Sequence, residues 1–388
     1  MKFQDIIDHY EGSFYLFDVS ILRDRINTLK ECMPDRIDLC FAVKANPFLA
    51  KECDSYVSRL EICSEGEYRI CKKLGISPSK MVISGINKEE SLIKELIKDD
   101  TFDGILTVES LLQYQQICEY SSLYKKNTHI LLRLTNGSQF GINKEDILDI
   151  YSDIPEYINI LGIQFFSGTQ KHSIKKINRE VKKIRDVISS IEDTYNVKVK
   201  ECEYGTGFPV NYFVGENKDD TKFLKEAGEC LRGLSEEYHV TIELGRSMVA
   251  SCGQFYTKIV DIKRNEGVNY ALTDGGMHQL VYDGQVMAMK TPIFSVYGKQ
   301  GDTDTYTICG SLCSMNDLIV KQALLPELEI GDLLCFENTG AYAMTEGMAL
   351  FLTRDLPWVY LRDINGDITL LRKRQETEIF NTPIYERK

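Results

Sequence analysis

The feature that leaves the fewest folds open is a rhythm. Between residues 38 and 244 short apolar, β-rich runs recur: "DLCFAV" (38–43), "LEIC" (60–63), "MVIS" (81–84), "GILTV" (104–108), "HILLRL" (129–134), "NILGIQFF" (159–166), "VKECEY" (199–204) and "VTIEL" (240–244). Stretches with helical spacing lie between them, among them "EGEYRICKKLG", "KEESLIKELIK", "VESLLQYQQICEY" and "IKKINREVKKIRDVISSIEDTY". Alternation of this kind predicts parallel strands joined by crossover helices. Eight such units in roughly 220 residues is the size of a (β/α)8 barrel. After about residue 247 the runs crowd together without helices: "FYTKIVDIK", "NYALTD", "IFSVYG", "DTYTICG", "DLLCFEN", "PWVYLRD" and "DITLLRK". That pattern predicts an all-β domain, a small barrel or sandwich, and the strand-like "SFYLFDV" near the start is assigned to it as well. The expected organisation is a barrel over 22–247 and a β domain made of 1–21 plus 248–388.

Composition narrows the partners. A chain of 388 residues with 43% hydrophobic content can bury two cores. A formal charge of -12 disfavours nucleic acid or an anionic membrane as the main partner, since both need an electropositive face. The basic stretch "KKINREVKKIR" (175–185) reads as a solvated barrel face. The opening "MKFQDIIDHYEG" lacks a signal-peptide core and no long uncharged apolar run follows, so a cytoplasmic location is expected. Twelve cysteines are scattered along the chain and are expected to be reduced thiols. Cys309 and Cys313 in "CGSLC" have CxxxC spacing with no second pair, and the five histidines form no local pair, so no metal site is expected.

In a (β/α)8 barrel catalytic groups gather at the C-terminal ends of the strands. Lys44, Ser64, Arg133, Phe166 with "SGTQ", the "GTG" turn (205–207), and Glu243 with Arg246 all fall there. Taken singly these have ordinary readings. Lys44 in "FAVKANPF" marks the wet end of a strand, because a buried, unpaired ammonium is costly, and a lone GxG is a simple turn. Position changes the weight. A glycine turn after strand seven, beside Arg246, is where barrels hold phosphate on backbone N–H groups. A rim lysine, a phosphate cradle and a carboxylate together suit pyridoxal 5'-phosphate: the amine condenses with the aldehyde, the cradle holds the phosphate, and the carboxylate keeps the ring nitrogen protonated.

From about Phe14 to Trp358 the sequence resembles the fold-type III pyridoxal-phosphate decarboxylases, the group with diaminopimelate, ornithine, arginine and carboxynorspermidine decarboxylases. The matching pieces, in the family's order, are "FAVKAN", "CSEGE" (63–67), "SQFGI" (138–142), "GIQFFSGTQ" (162–170), "YGTGF" (204–208), "ELGR" (243–246), "DGGM" (274–277), "GSLCSMND" (310–317) and "GDLLCFENTGAY" (331–342). The resemblance implies an alanine-racemase-like barrel with a C-terminal β domain, and a homodimer with shared active sites. It implies that Lys44 carries the cofactor and that Glu243 pairs with the ring nitrogen. Gly205, Thr206, Gly207, Gly245, Arg246 and Tyr342 would serve the phosphate, with Phe166 against the ring face. Cys313, from a partner subunit, would protonate the carbon that has lost carbon dioxide.

The departures from the family pattern concern the substrate. The family's "LHFHIGSQ" is "IQFFSGTQ" here, so Phe166 replaces a histidine; it can stack but cannot hydrogen-bond. Thr206 replaces the middle glycine of the turn, and Leu244 a proline. The acidic residue that follows the cysteine in ornithine- and diaminopimelate-type enzymes is Ser314. The arginine expected after "DGGM" is missing, with Tyr282 near its place. Ser314, Asp317 and Tyr282 are therefore the candidate substrate residues, although Asp317 also reads as a helix cap. A site for a charged distal end needs charge partners, and this one lacks both signs. The reading is α-decarboxylation of an amino acid with a neutral or conjugated distal end, and "FFSGTQ" and "LCSMND" are similar to members handling carrier-tethered or siderophore-type intermediates. The runner-up is a free diamino-acid decarboxylase. An amino-acid racemase fits less well with the strong electron sink that Glu243 implies, and an idle binding homologue less well with Lys44, Glu243 and Cys313 all present.

Overall fold

The computed structural model describes residues 1–216 and 219–385. The chain divides into two compact units, one of Ile26–Val210 with Asp219–Met248, the other of Met1–Arg25, Asn211–Lys218 and Val249–Lys388. The first strand, β1 (Phe14–Asp18), belongs to the second of these.

The first unit is a closed parallel barrel of β2 (Ile37–Ala42), β3 (Arg59–Ile62), β4 (Met81–Ile83), β5 (Ile105–Val108), β6 (Thr128–Arg133), β7 (Ile158–Phe166), β8 (Glu201–Gly205) and β9 (His239–Leu244). Closure is made by β9 against β2, with Ile37 opposite Val240 and Phe41 opposite Leu244. All eight sequence runs are strands. Their apolar character follows from burial on both faces, interior and helix layer, as in the fully buried β4 and β5. The helix Ile174–Tyr195 packs Ile177, Val181, Ile184, Ile188 and Ile191 inward and leaves Lys175, Arg179, Lys182 and Lys183 exposed, a solvated face.

The second unit is built on β10 (Gly253–Asn265), β11 (Val268–Thr273), β12 (Phe294–Val296), β13 (Asp304–Cys309), β14 (Leu318–Leu325), β15 (Leu333–Phe336), β16 (Trp358–Arg362) and β17 (Ile368–Arg372). With β1 they form one nine-stranded sheet in the order β14-β13-β11-β10-β1-β16-β17, with β15 and β12 branching from β10. The early strand β1 is central: it pairs antiparallel with β10 and parallel with β16. Phe14 stacks on Tyr256 with centroids 4.7 Å apart, in a core with Leu16, Leu333, Tyr360 and Ile368.

Residues 211–216 also join this unit, although they sit between β8 and the following helix and the sequence placed them in the barrel. Backbone bonds from Val214 N–H to Thr291 O (2.8 Å) and from Ile293 N–H to Tyr212 O (3.1 Å) fix them there. No apolar periodicity announces so short a pairing. None of the twelve cysteines is joined in a disulfide. Among the described residues no helix is long and apolar enough to cross a membrane, and no group of three or more His, Cys, Asp or Glu side chains could hold a metal ion.

Candidate active site

Lys44 stands just past β2, in the single turn Val43–Ala45, rather than in the strand itself. Asn46 ends that turn, its side-chain oxygen accepting from Phe48 N–H, and Pro47 starts the next turn. The Lys44 ammonium donates to Glu61 Oε2 at 2.7 Å and lies 3.4 Å from Cys63 Sγ. The amine is accessible, with 38% of its side chain exposed, whereas Glu61 is 3% exposed. Burial opposes ionisation of Glu61, but the Lys44 charge and hydrogen bond outweigh it and hold the carboxyl below its usual range. Next to it, Arg133 at the end of β6 pairs with the buried Glu109 at 2.8 Å.

Glu243, on β9, is buried, and Gln164 Nε2 donates to its Oε1 at 2.7 Å. Burial, then the neighbouring carboxylates Glu61 and Glu203, push its carboxyl well above the usual range. Gly205 separates Glu243 from Phe166. A Cβ on Gly205 would come within 2.4 Å of the Phe166 ring and 2.8 Å of Glu243 Oε2, so only glycine leaves this space open.

The turn after β8 is tied to the loop after β7. Gly207 has φ +58°, and a Cβ there would meet Gly168 O at 2.0 Å. Lys171 N–H donates to Gly207 O (2.9 Å), while Gln170 exchanges two bonds with the Val210 backbone (2.7 and 3.2 Å). Arg246 Nε donates to Thr169 Oγ1 at 3.4 Å. Thr206 is fully buried and its hydroxyl donates to Glu243 O, so the residue that replaces glycine turns its side chain into the protein. Gly245 precedes Arg246 and accepts from Met248 N–H as the chain turns into a short helix.

Behind this turn lies Lys171, with 0% of its side chain exposed. It donates to Glu180 Oε2 (2.7 Å) and Gly205 O (3.2 Å), and its ammonium sits 5.6 Å from the Phe166 ring centroid and 5.1 Å from that of Tyr204. Glu180 also accepts from Tyr204 (2.6 Å) and Ser167. Burial works against this carboxylate, and the bonds from Lys171, Ser167 and Tyr204 bring it below its usual range.

The remaining expected site residues lie in the β unit. Cys313 is exposed on the loop between β13 and β14, with Ser314 Oγ accepting from Asn316 N–H. Asp317, 2% exposed, accepts from Met277 N–H (2.7 Å) and Leu312 N–H (2.8 Å). Tyr282 is buried against Tyr212 and Phe213, and its hydroxyl donates to Glu337 O at 2.7 Å. Within this chain Asp317 shapes the loop that bears Cys313, and Tyr282 packs in the core. Tyr342 is half-buried at φ +62°, a left-handed conformation uncommon for an aromatic residue.

The structure therefore gathers Lys44, Phe166, Gly205, Thr206, Gly207, Glu243, Gly245 and Arg246 on the barrel unit. It adds Glu61, Gln164, Lys171, Glu180 and Glu203, which the sequence reading did not single out. One signal was available for Glu61 and Glu203: a charged residue at every second position of a barrel strand, as in "RLEI" and "ECEYG", faces the interior.

Residues 14–340 match the family model described as pyridoxal-dependent decarboxylase, C-terminal sheet domain. The chain belongs to this family. It is a pyridoxal-phosphate-dependent amino-acid decarboxylase, a lyase. Among its relatives is the L-glutamyl-[BtrI acyl-carrier protein] decarboxylase of Niallia circulans, 24% identical in an alignment that covers 94% of this chain and 92% of that one. The 2-[(L-alanin-3-ylcarbamoyl)methyl]-2-hydroxybutanedioate decarboxylase of Staphylococcus aureus is also 24% identical, with 91% and 95% covered. Diaminopimelate decarboxylases match at similar identity. The crystal structure of the Helicobacter pylori diaminopimelate decarboxylase with L-lysine superposes with a TM-score of 0.84 at 22% identity, covering 97% of this chain and 98% of that one, a likeness of fold.

Proposed function

We propose that this decarboxylase removes the α-carboxylate of an amino acid whose distal end is neutral or already joined to a larger unit. The observation that carries the reading is the loop 310–317. Its one carboxylate, Asp317, is buried and engaged by two backbone N–H groups, and Ser314 stands beside Cys313. Nothing on that loop offers a charge to a distal ammonium. The relatives from Niallia circulans and Staphylococcus aureus, named for a carrier-bound and a carbamoyl-linked substrate, support it.

The barrel rim fits pyridoxal phosphate on three counts. An accessible amine lies on a buried carboxylate, a second buried acid is bonded by the neutral amide of Gln164, and the space at Gly205 would be filled by any Cβ. Lys44 would hold the aldehyde carbon, the 205–207 turn with Arg246 and Tyr342 the phosphate, Phe166 the ring face and Glu243 the ring nitrogen. Bound there, the cofactor supplies the sink for the electron pair left when the bond to the α-carboxylate breaks. Glu61 would orient the Lys44 amine and could accept or return a proton at its Nζ. Phe166, unable to hydrogen-bond, would keep water from the ring face. Cys313, supplied by the second subunit of a homodimer, would be the donor of the proton to the α-carbon.

A panel of free and conjugated amino acids scored by kcat/KM tests the substrate class. Omitting a charge-assisted contact loses on the order of 1.5–3 kcal/mol, or about one to two decades of specificity. Conjugates are therefore expected to outperform free meso-diaminopimelate, ornithine and lysine. If free diaminopimelate or ornithine beats every conjugate by about tenfold, which is 1.4 kcal/mol, the reading is wrong.

A further inference from the structure

The helix Ile174–Tyr195 carries its charge unevenly. Over its first three turns Lys175, Lys176, Arg179, Lys182 and Lys183 fall within an arc of about 120°, given 3.6 residues per turn. Further along the same arc the exposed charges are Asp186 and Asp193. A solvated helix face ordinarily alternates its signs, whereas here they are separated along the axis, the cations at the end where β7 delivers the chain. Glu180, the one acid among residues 175–185, is buried and bonds Lys171 at 2.7 Å. Among the described residues, Lys175, Lys176, Arg179 and Lys182 make no ion pair and no side-chain hydrogen bond.

These cations border a groove. It has a volume of about 480 Å³ and is lined by Lys176, Arg179 and Lys183, by the turn 136–138, and by Phe165 and Ser167 at and just past the end of β7. Lys183 Nζ donates to Thr135 O at 2.7 Å and lies 5.2 Å from the Phe165 ring centroid, which ties the helix to the turn. Asn136 Nδ2 donates to Phe166 O at 3.3 Å. The groove thus meets the barrel rim at Phe166, the residue assigned to the cofactor's ring face.

We propose that this groove and its cationic stripe dock an acidic protein domain that carries the amino acid on a flexible arm, the arm entering the site past Phe166. The inference rests on the reading of a conjugated substrate. Charge complementarity selects the partner: a chain of net charge -12 repels an acidic body over most of its surface and attracts it where unpaired cations gather. The stripe from Lys175 to Lys183 spans about 12 Å of helix axis at 1.5 Å per residue, longer than a single phosphate or carboxylate and matched to a row of acidic side chains. A nucleic acid, acidic along its whole length, would meet the repulsion beyond the stripe.

The test compares wild-type holoenzyme with the variant Lys175→Glu, Arg179→Glu, Lys182→Glu, three exposed positions outside the catalytic machinery. The probes are acidic acyl-carrier proteins loaded with amino acids, the BtrI carrier among them, and the same amino acids conjugated to a small uncharged thiol. Charge reversal should raise KM for the carrier-borne substrates at least about tenfold with kcat unchanged, and leave the small conjugates untouched. In about 1 M salt, where the screening length falls to about 3 Å, the difference should vanish. A variant that uses every carrier-borne substrate as wild type does, or a difference that salt does not reduce, overturns the proposal, and so does an oligonucleotide that binds wild type more tightly than any carrier at physiological salt. Turnover of small conjugates without any preference for carriers sinks the docking surface alone. If only free amino acids react, the substrate reading beneath it fails as well.

Discussion

Replacing Lys171 with methionine should weaken the 205–207 turn, proposed above to hold the phosphate, and the barrel together, by amounts that can be separated. The substitution keeps most of the side-chain volume and removes the ammonium that bonds Glu180 and Gly205 O. Breaking a buried ion pair by removing one partner costs about 3–5 kcal/mol, because the other charge is left uncompensated. Glu180 retains Tyr204 and Ser167, so the loss belongs at the lower end, about 3 kcal/mol. For a domain of about 200 residues this is a fall in Tm of about 6–12 °C. Adding Glu180→Gln removes the stranded charge and should restore most of the lost stability. It does not restore the hold on Gly205 O, so pyridoxal phosphate should bind both variants at least about tenfold more weakly than wild type, or 1.4 kcal/mol. The assays are thermal unfolding of the cofactor-free protein and titration with pyridoxal phosphate followed by absorbance. A single variant that loses under about 1 kcal/mol, or a double variant whose losses simply add, refutes the buried-pair argument. Wild-type cofactor affinity in the folded double variant refutes the link to the turn.

Borohydride should fix the cofactor to Lys44 in wild type and to no lysine in Lys44→Ala; equal labelling in the variant removes Lys44 from the mechanism. Mixing Lys44→Ala with Cys313→Ala protomers should regenerate some sites that contain both groups, and no recovered activity after verified subunit exchange would count against a shared site. The His239 ring is raised above its ordinary value by its hydrogen bond to Glu201 and then by Asp38. Its contribution to stability is therefore complete below about 6.5, the unfolded value, and is lost as pH rises through the folded one. His239→Gln should flatten the decline of Tm on that alkaline side, and a parallel decline in both proteins shows that His239 does not govern it.

The barrel could be read from the sequence because parallel strands buried on both faces must be continuous apolar runs, and those runs are spaced by helices. The rim could be read for the same reason: once the strands are placed, the residues that end them are fixed. What escaped were interactions between elements far apart in the chain, such as Lys171 with Glu180 and Tyr204, or Arg59 with Glu201 and Glu203. No local period encodes them. Asp317 shows a second limit. Its place in "GSLCSMND" says only that a carboxylate lies four residues from a cysteine; that it accepts from Met277 N–H and Leu312 N–H is visible in the fold alone. Thr206 makes the converse point. As a letter it is a defect in a glycine turn; in the fold its hydroxyl finds Glu243 O beneath the turn, so the side with the backbone N–H groups keeps its shape. The tolerance lies in direction: Gly205 must be glycine because its Cβ would strike Phe166 and Glu243, whereas the next side chain points to the other side of the strand end, where the protein already supplies an acceptor.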